Sequence, residues 1–162
     1  MADCPRARNG AAQVRQLQRT LSRMSKQDKG RRFHSLYDKV WREDVLWEAW
    51  QQVKANHGAP GGEGTTITAI VAQGQEEDMS QRLQKRLREH RSQFSPVRRV
   101  DIPKPKGGTR PFGIATVDDR VVQTAMKLVL EPVFEAEFHD GSSGDRPKRD
   151  AKDASIALRE EL

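Results

Sequence analysis

The sequence predicts a mostly helical α+β fold in which helices pack around one small antiparallel β-hairpin. Apolar residues recur at three- and four-residue spacing from Leu36 to Val53 and from Val121 to Phe138, which is the period of a helix face. Between those stretches, residues 97–114 alternate instead. Asp101 separates Val100 from Ile102, Gly113 separates Phe112 from Ile114, and the turn-forming run Lys104-Pro-Lys-Gly-Gly-Thr109 lies between the two strands. A third observation bounds the size: 162 residues, 35% apolar and 32% charged, make one domain or a little more with a modest core.

Three regions follow in chain order: residues 1–32, 33–95 and 96–162. The first is a basic N-terminal tail expected to be flexible, although Val14, Leu17 and Leu21 at helical spacing, with Arg15, Arg19 and Arg23 outward, leave a weak helix open. In the second, Leu36, Tyr37, Val40 and Trp41 form a helical stripe. Asp44 is placed to cap a following helix whose face is Leu46, Trp50 and Val53, so Trp41 and Trp50 are expected as core anchors. Residues 56–64 hold Gly58, Pro60, Gly61, Gly62 and Gly64 and read as a loop. It does not open a helix after a strand, which excludes a dinucleotide-binding turn. A short helix over residues 65–72 precedes one capped by Asp78 or Ser80. Met79, Leu83, Leu87 and His90 lie on one side of that helix and Arg82, Lys85, Arg86 and Arg88 on the other, a basic face suited either to solvent or to RNA.

In the third region the hairpin is expected to turn one apolar face to a core. Arg98, Arg99, Lys104, Lys106 and Arg110 then surround a loop with two adjacent glycines. Lys is a compact charge on a long stem, Arg a planar fork, and glycine lets a polyanion approach the backbone, so the loop suits phosphate; the plainer reading is a solvated tip. Asp118 and Asp119 fall at a helix start, where capping and the helix dipole favour acids over a metal pair. The helix that follows contains Val121, Val122, Ala125, Met126, Val129 and Leu130. Pro132 is expected to break or restart it, and Val133, Phe134 and Phe138 extend an apolar surface wide enough for burial on more than one side. Ala154, Leu158 and Leu162 begin a last amphipathic helix.

Charge narrows the function classes. Residues 1–32 hold nine Lys/Arg against two acids and residues 81–110 hold ten against two, within a chain of net charge +6. Two basic blocks separated by acidic stretches predict a surface for a polyanion, foremost the nucleic-acid backbone, because few aromatics accompany them for base stacking. No run of about 18 apolar residues and no apolar leader is present, so a cytoplasmic, membrane-free protein is the expectation. Cys4 alone excludes an internal disulfide framework. His34, His57, His90 and His139 have no ligand spacing, so neither a metal site nor a catalytic residue is expected in this chain.

Residues 98–123 read Arg-Arg-Val-Asp-Ile-Pro-Lys-Pro-Lys-Gly-Gly-Thr-Arg-Pro-Phe-Gly-Ile-Ala-Thr-Val-Asp-Asp-Arg-Val-Val-Gln. This order closely resembles the first sequence block of the reverse transcriptases encoded by bacterial group II introns. Gly58-Ala-Pro-Gly-Gly-Glu-Gly64 resembles the family's Gly-Ala-Pro-Gly-Val-Asp-Gly, and Leu130-Glu-Pro-Val-Phe-Glu135 resembles the helix that braces the hairpin. Ser142-Ser-Gly-Asp-Arg-Pro-Lys-Arg-Asp-Ala-Lys-Asp-Ala154 resembles the second block, with Ser143 and Asp145 where aromatics are usual.

The resemblance covers roughly residues 33–162 and implies the N-terminal and fingers portion of such an enzyme: fingers-like helices around the hairpin, truncated before the palm. It implies triphosphate contacts for Lys104 and Arg110, and template or intron RNA contacts for Arg98, Arg99 and Lys106. The second block extends the same role to Arg146, Lys148 and Arg149, and the basic helix face beside the hairpin's cations, apart from the resemblance, offers it to Arg82, Lys85 and Arg86. The palm carboxylates that hold two Mg²⁺ ions are not expected in this stretch, so RNA-directed DNA synthesis would need a separate palm-containing chain, deoxynucleoside triphosphate and Mg²⁺. A non-catalytic, maturase-like RNA-binding module and a decayed fragment are the alternatives.

Overall fold

The computed structural model describes residues 5–160 except Lys29, Asp140, Asp145 and Lys148. In order, the elements are helices α1 (Pro5–Gln27), α2 (Tyr37–Val40), α3 (Glu43–Ala55), α4 (Ile67–Ala72) and α5 (Glu76–Arg88), strands β1 (Arg98–Pro103) and β2 (Thr109–Ile114), and helices α6 (Val117–Glu137) and α7 (Ala151–Glu160). Helices α1, α3 and α6 pack on one another, and α2 and α5 close the sides. The mostly helical α+β expectation is met.

The expected basic tail is, from Pro5 to Gln27, a helix inserted in the core. Val14, Leu21 and Ser25 are buried and Leu17 packs beside them, while Arg15, Arg19 and Arg23 stay exposed, as the helical spacing required. Arginine-rich composition suggested a tail; a period that repeats every seven residues decided otherwise.

The centre of the core is α3. Val45, Leu46, Ala49 and Trp50 have no exposed surface, and Trp50 Nε1 donates to Glu76 Oε1 at 2.8 Å, where Lys54 also pairs at 2.9 Å. Trp50 is thus the anchor expected of it. Trp41 is only half-buried, packed on the core edge with the Arg88 guanidinium 5.9 Å above its ring.

The caps depart from expectation. α3 begins at Glu43 with Arg42 as N-cap and no side-chain cap bond, and Asp44 instead pairs with Arg42 at 2.8 Å. α5 begins at Glu76 and uses neither Asp78 nor Ser80 as its cap; Ser80 is buried. Glu76, Glu77 and Asp78 in its first turn and Lys85, Arg86 and Arg88 in its last complement the helix dipole. The stripe from Leu36 to Trp41 yields one helical turn, α2, since only Val40 of it is fully buried.

Pro132 neither breaks nor restarts α6, which runs through it. Proline cannot donate to the carbonyl four residues back, that of Leu128, and an orphaned carbonyl there is costly. Gln18 Nε2 of α1 donates to that oxygen at 3.1 Å, and Ser25 Oγ donates to Val133 O at 3.2 Å one turn on. The helix survives because a neighbour supplies the missing donor. Gln18→Ala should therefore destabilise the wild-type protein by about 1–2 kcal/mol in urea unfolding and have little effect beside Pro132→Ala, where the backbone donor is restored. Equal losses in both backgrounds would refute the compensation.

Met126 and Phe134 of α6, and Phe138 just beyond its end, are exposed. Such exposed apolar surface is what a decayed fragment would show, yet the inner face closes a core that includes Val117, Val121, Val122, Ala125, Leu128, Val129 and Val133.

Candidate nucleic-acid interface

The strands pair antiparallel in the register Arg98↔Ile114, Val100↔Phe112, Ile102↔Arg110. One face therefore carries Arg98, Val100, Ile102, Arg110, Phe112 and Ile114. That face does not join the core as expected. Phe112 is 52% exposed and Val100 37%, and only Ile102 and Ile114 are half-buried. Two strands paired only with each other bury too little to form a face of the core, so the hairpin projects from the helices.

At its tip Lys104 N donates to Gly108 O at 2.9 Å and Gly107 N to Lys104 O at 3.1 Å. Gly107 and Gly108 both take left-handed φ, 90° and 79°, which explains why two adjacent glycines stand here. The side chains of Arg98, Lys104, Lys106 and Arg110 are exposed and make no hydrogen bond or ion pair among the described residues. Arg99, on the other face, pairs with Asp101 at 3.3 Å. The cations expected around the loop are thus assembled, and four are available to an anion.

The root of the hairpin is held far more firmly than its tip. Thr116 is buried and caps α6, its Oγ1 accepting from Asp119 N at 3.2 Å. Asp119 is itself buried, and its Oδ2 accepts from Ser95 N at 3.0 Å, tying down the chain as it enters β1. Gly61 and Gly62 lie against both ends of the hairpin: a Cβ on Gly61 would stand 2.6 Å from Ala115 O, and one on Gly62 2.9 Å from Pro96 O. Arg120 Nη2 donates to Ala59 O at 2.9 Å and holds that glycine loop in place, and partial burial pushes its guanidinium below the usual value.

Asp118 meets Arg82 Nη2 at 3.1 Å and Arg86 Nη1 at 3.7 Å. Two of the cations expected on the basic face of α5 therefore already have a carboxylate partner, and Arg86 also donates to Gln93 O at 3.3 Å. Lys85 and Arg88 remain exposed. The paired aspartates are structural, as expected, but by tying α5 and the hairpin root to α6 while Thr116 does the capping.

Arg146 is 8% exposed, and its guanidinium is engaged within the protein. Nε and Nη2 donate to the Glu135 carboxylate at 3.2 and 2.7 Å, Nη1 donates to the carbonyls of His139 and Ser142 at 2.8 Å each, and the guanidinium sits 5.4 Å from the Phe138 ring. These bonds, first among them that from Arg146, hold the Glu135 carboxyl below the usual carboxylate range. Arg149 lies close enough to act on the same carboxylate, whereas Lys148 falls outside the described residues. Leu162 does too, and no described side chain of α7 is buried.

The exposed side of α1 forms an open groove with α6, in which Arg19, Arg23 and Lys26 face Glu131 and Glu135. Among the described residues no three His, Cys, Asp or Glu side chains converge where a metal ion would need them. The described residues thus offer no cluster for the two-metal chemistry of nucleotidyl transfer, and no step through Mg²⁺ is assigned to them. No helix of the described residues is long and apolar enough to cross a membrane.

No family model matches the chain. Individual relatives do. It is 34% identical over 151 residues to protein YkfC of Escherichia coli, an alignment covering 92% of this chain and 39% of that protein. It is 30% identical over 143 residues to the group II intron-encoded protein LtrA of Lactococcus lactis, covering 88% of this chain and 23% of LtrA. A 91 kDa protein in cob intron of Schizosaccharomyces pombe is 30% identical over 117 residues, 72% of this chain and 14% of that protein. The chain thus spans well under half the length of each of these relatives, and the shared stretch includes most of the helices and the hairpin just described. Over most of its length this chain is similar to group II intron-encoded proteins.

Proposed function

We propose that the chain is the N-terminal and fingers portion of a group II intron-type reverse transcriptase, gripping template or intron RNA and the triphosphate of an incoming deoxynucleotide. The observation that carries this reading is the projecting hairpin, with Arg98, Lys104, Lys106 and Arg110 exposed and unpaired around a loop of two left-handed glycines. Unpaired cations on a protruding arm lose no internal bond when a phosphate arrives. In this reading Lys104 and Arg110 take the triphosphate. Arg98, Arg99 and Lys106 take RNA backbone, joined by Lys85 and, on release from Asp118, by Arg82 and Arg86. Arg149 extends the same surface. The carboxylates and Mg²⁺ ions of the transfer step belong to a palm outside these elements.

A non-catalytic, maturase-like RNA-binding module is the second reading. The exposed Arg15, Arg19 and Arg23 of α1 favour it, because they add cations on an element separate from the hairpin. Both readings require RNA binding, and only the first requires nucleotide binding.

The test is single-stranded RNA affinity across a salt series, with nucleotide binding measured alongside. The wild-type chain should show a steep loss of affinity with salt, and Arg98→Ala with Lys106→Ala should flatten the slope by about 1.4, two contacts at roughly 0.7 each. Lys104→Ala with Arg110→Ala should abolish binding of a fluorescent deoxynucleoside triphosphate. RNA binding with no nucleotide binding by wild type would favour the module; an unchanged RNA slope in the first double variant would overturn both.

A further inference from the structure

We infer that Asp119 is a positioning residue that aims the hairpin, setting where its cations meet nucleic acid. The inference rests on the RNA-gripping role proposed for the hairpin. Three features of the structure converge on it. The hairpin strands bond only to each other, and their side chains are exposed except for Ile102 and Ile114, so the arm's direction is not set by packing along its length. Its direction must be set at the root. There, the outgoing strand runs into Thr116 and Val117, which are buried, whereas the incoming chain at Ser95 is held by Asp119 Oδ2 on Ser95 N at 3.0 Å.

Asp119 is well suited to that task. It is 6% exposed, and its own amide is fixed by Thr116 Oγ1, so its side chain leaves a rigid helical turn in a defined direction. A carboxylate accepting a backbone N–H is a charge-assisted bond, stronger and shorter than a neutral one. One residue in the first turn of α6 therefore joins both ends of the arm, since the outgoing end is three residues before it and the incoming end is bonded to its side chain. Losing that bond frees residues 95–97 to swing about the Ala115–Thr116 end, and the tip cations then sample many positions in place of one. Ordering them again on the ligand costs entropy, which appears as weaker binding.

The test compares Asp119→Ala and Asp119→Asn with the wild-type chain and with Arg98→Ala/Lys106→Ala. Asparagine keeps an oxygen that accepts the Ser95 amide; alanine does not. Asp119→Ala should speed hydrogen exchange at the Ser95 amide and weaken single-stranded RNA binding roughly three- to tenfold at 0.1 M salt, and Asp119→Asn should restore most of both. In the Arg98→Ala/Lys106→Ala background Asp119→Ala should add almost nothing, because there are few hairpin contacts left to misplace. A full additional loss in that background, or no rescue by asparagine, would overturn the positioning role while leaving the hairpin as an RNA site. An RNA affinity unaltered by Arg98→Ala/Lys106→Ala itself would instead remove the proposed function, and the inference with it.

Discussion

Gly61→Ala is expected to destabilise the protein by about 3 kcal/mol, at the upper end of what one forced methyl costs in a packed region. The new Cβ would lie 2.6 Å from Ala115 O and 2.7 Å from both the Cα and N of Thr116. All three are backbone atoms at the junction of β2 and α6, and Thr116 is buried and committed as the α6 cap, so the contact cannot be relieved by rotating a side chain. Either the glycine loop lifts, breaking the Arg120 bond to Ala59 O, or the hairpin root shifts and strains the Asp119 bond to Ser95. Urea unfolding measures the first cost, and hydrogen exchange at Ser95 reports the second. Gly58→Ala is the control in the same loop. There the close neighbour is the tip of the Arg120 guanidinium, which can swing away, so the loss should stay near 1 kcal/mol. If the two glycines behave alike, close backbone approach is not what selects glycine at 61.

Arg146→Ala should open residues 139–150, with a local loss of about 3 kcal/mol. Removing the guanidinium deletes the paired bonds to Glu135, takes the donor from Ser142 O and leaves His139 O with the Ser142 N–H alone. Arg146→Lys should recover little, because one ammonium cannot span a carboxylate and two carbonyls in the way a planar fork does. Proteolytic nicking and hydrogen exchange over residues 139–150 would show the opening, and wild-type protection in the alanine variant would remove Arg146 from this role. The clasp should also respond to acid. Arg146 lowers the folded-state pKa of Glu135, so the stabilisation is complete above the ordinary carboxylate pKa of the unfolded chain and is lost as pH falls through the lower folded value. Glu135→Gln should be open at neutral pH and lack that acid transition.

Arg146 also shows how much of the site could be read from the order of residues. Its place in a block that resembles the template-contacting segment of the family marked it as an RNA contact. Its burial could not be foreseen, because it depends on Glu135 and His139 arriving beside it from the end of α6. Arg82 and Arg86 are a milder case. A basic helix face was legible from spacing, but the carboxylate of Asp118 that meets both of them comes from 32 and more residues away in sequence. The glycines of residues 58–64 were legible as a loop, and as similar to a family segment, without any indication that two of them form the seat of the hairpin.

Local pattern determined the type of nearly every element: period-3.6 stripes made α1, α3, α5 and α6, alternation around two glycines made the hairpin, and the order of residues across it carried the resemblance to group II intron-encoded proteins. Those signals are local because side-chain direction repeats with the backbone period. Tertiary structure decided the rest. Gln18 keeps α6 whole through Pro132, the hairpin stands out from the core although its strands alternate, and Asp119 holds Ser95. Each outcome turns on a donor, acceptor or packing surface delivered from a distant part of the chain, and periodicity carries no record of what arrives opposite a residue when the chain folds.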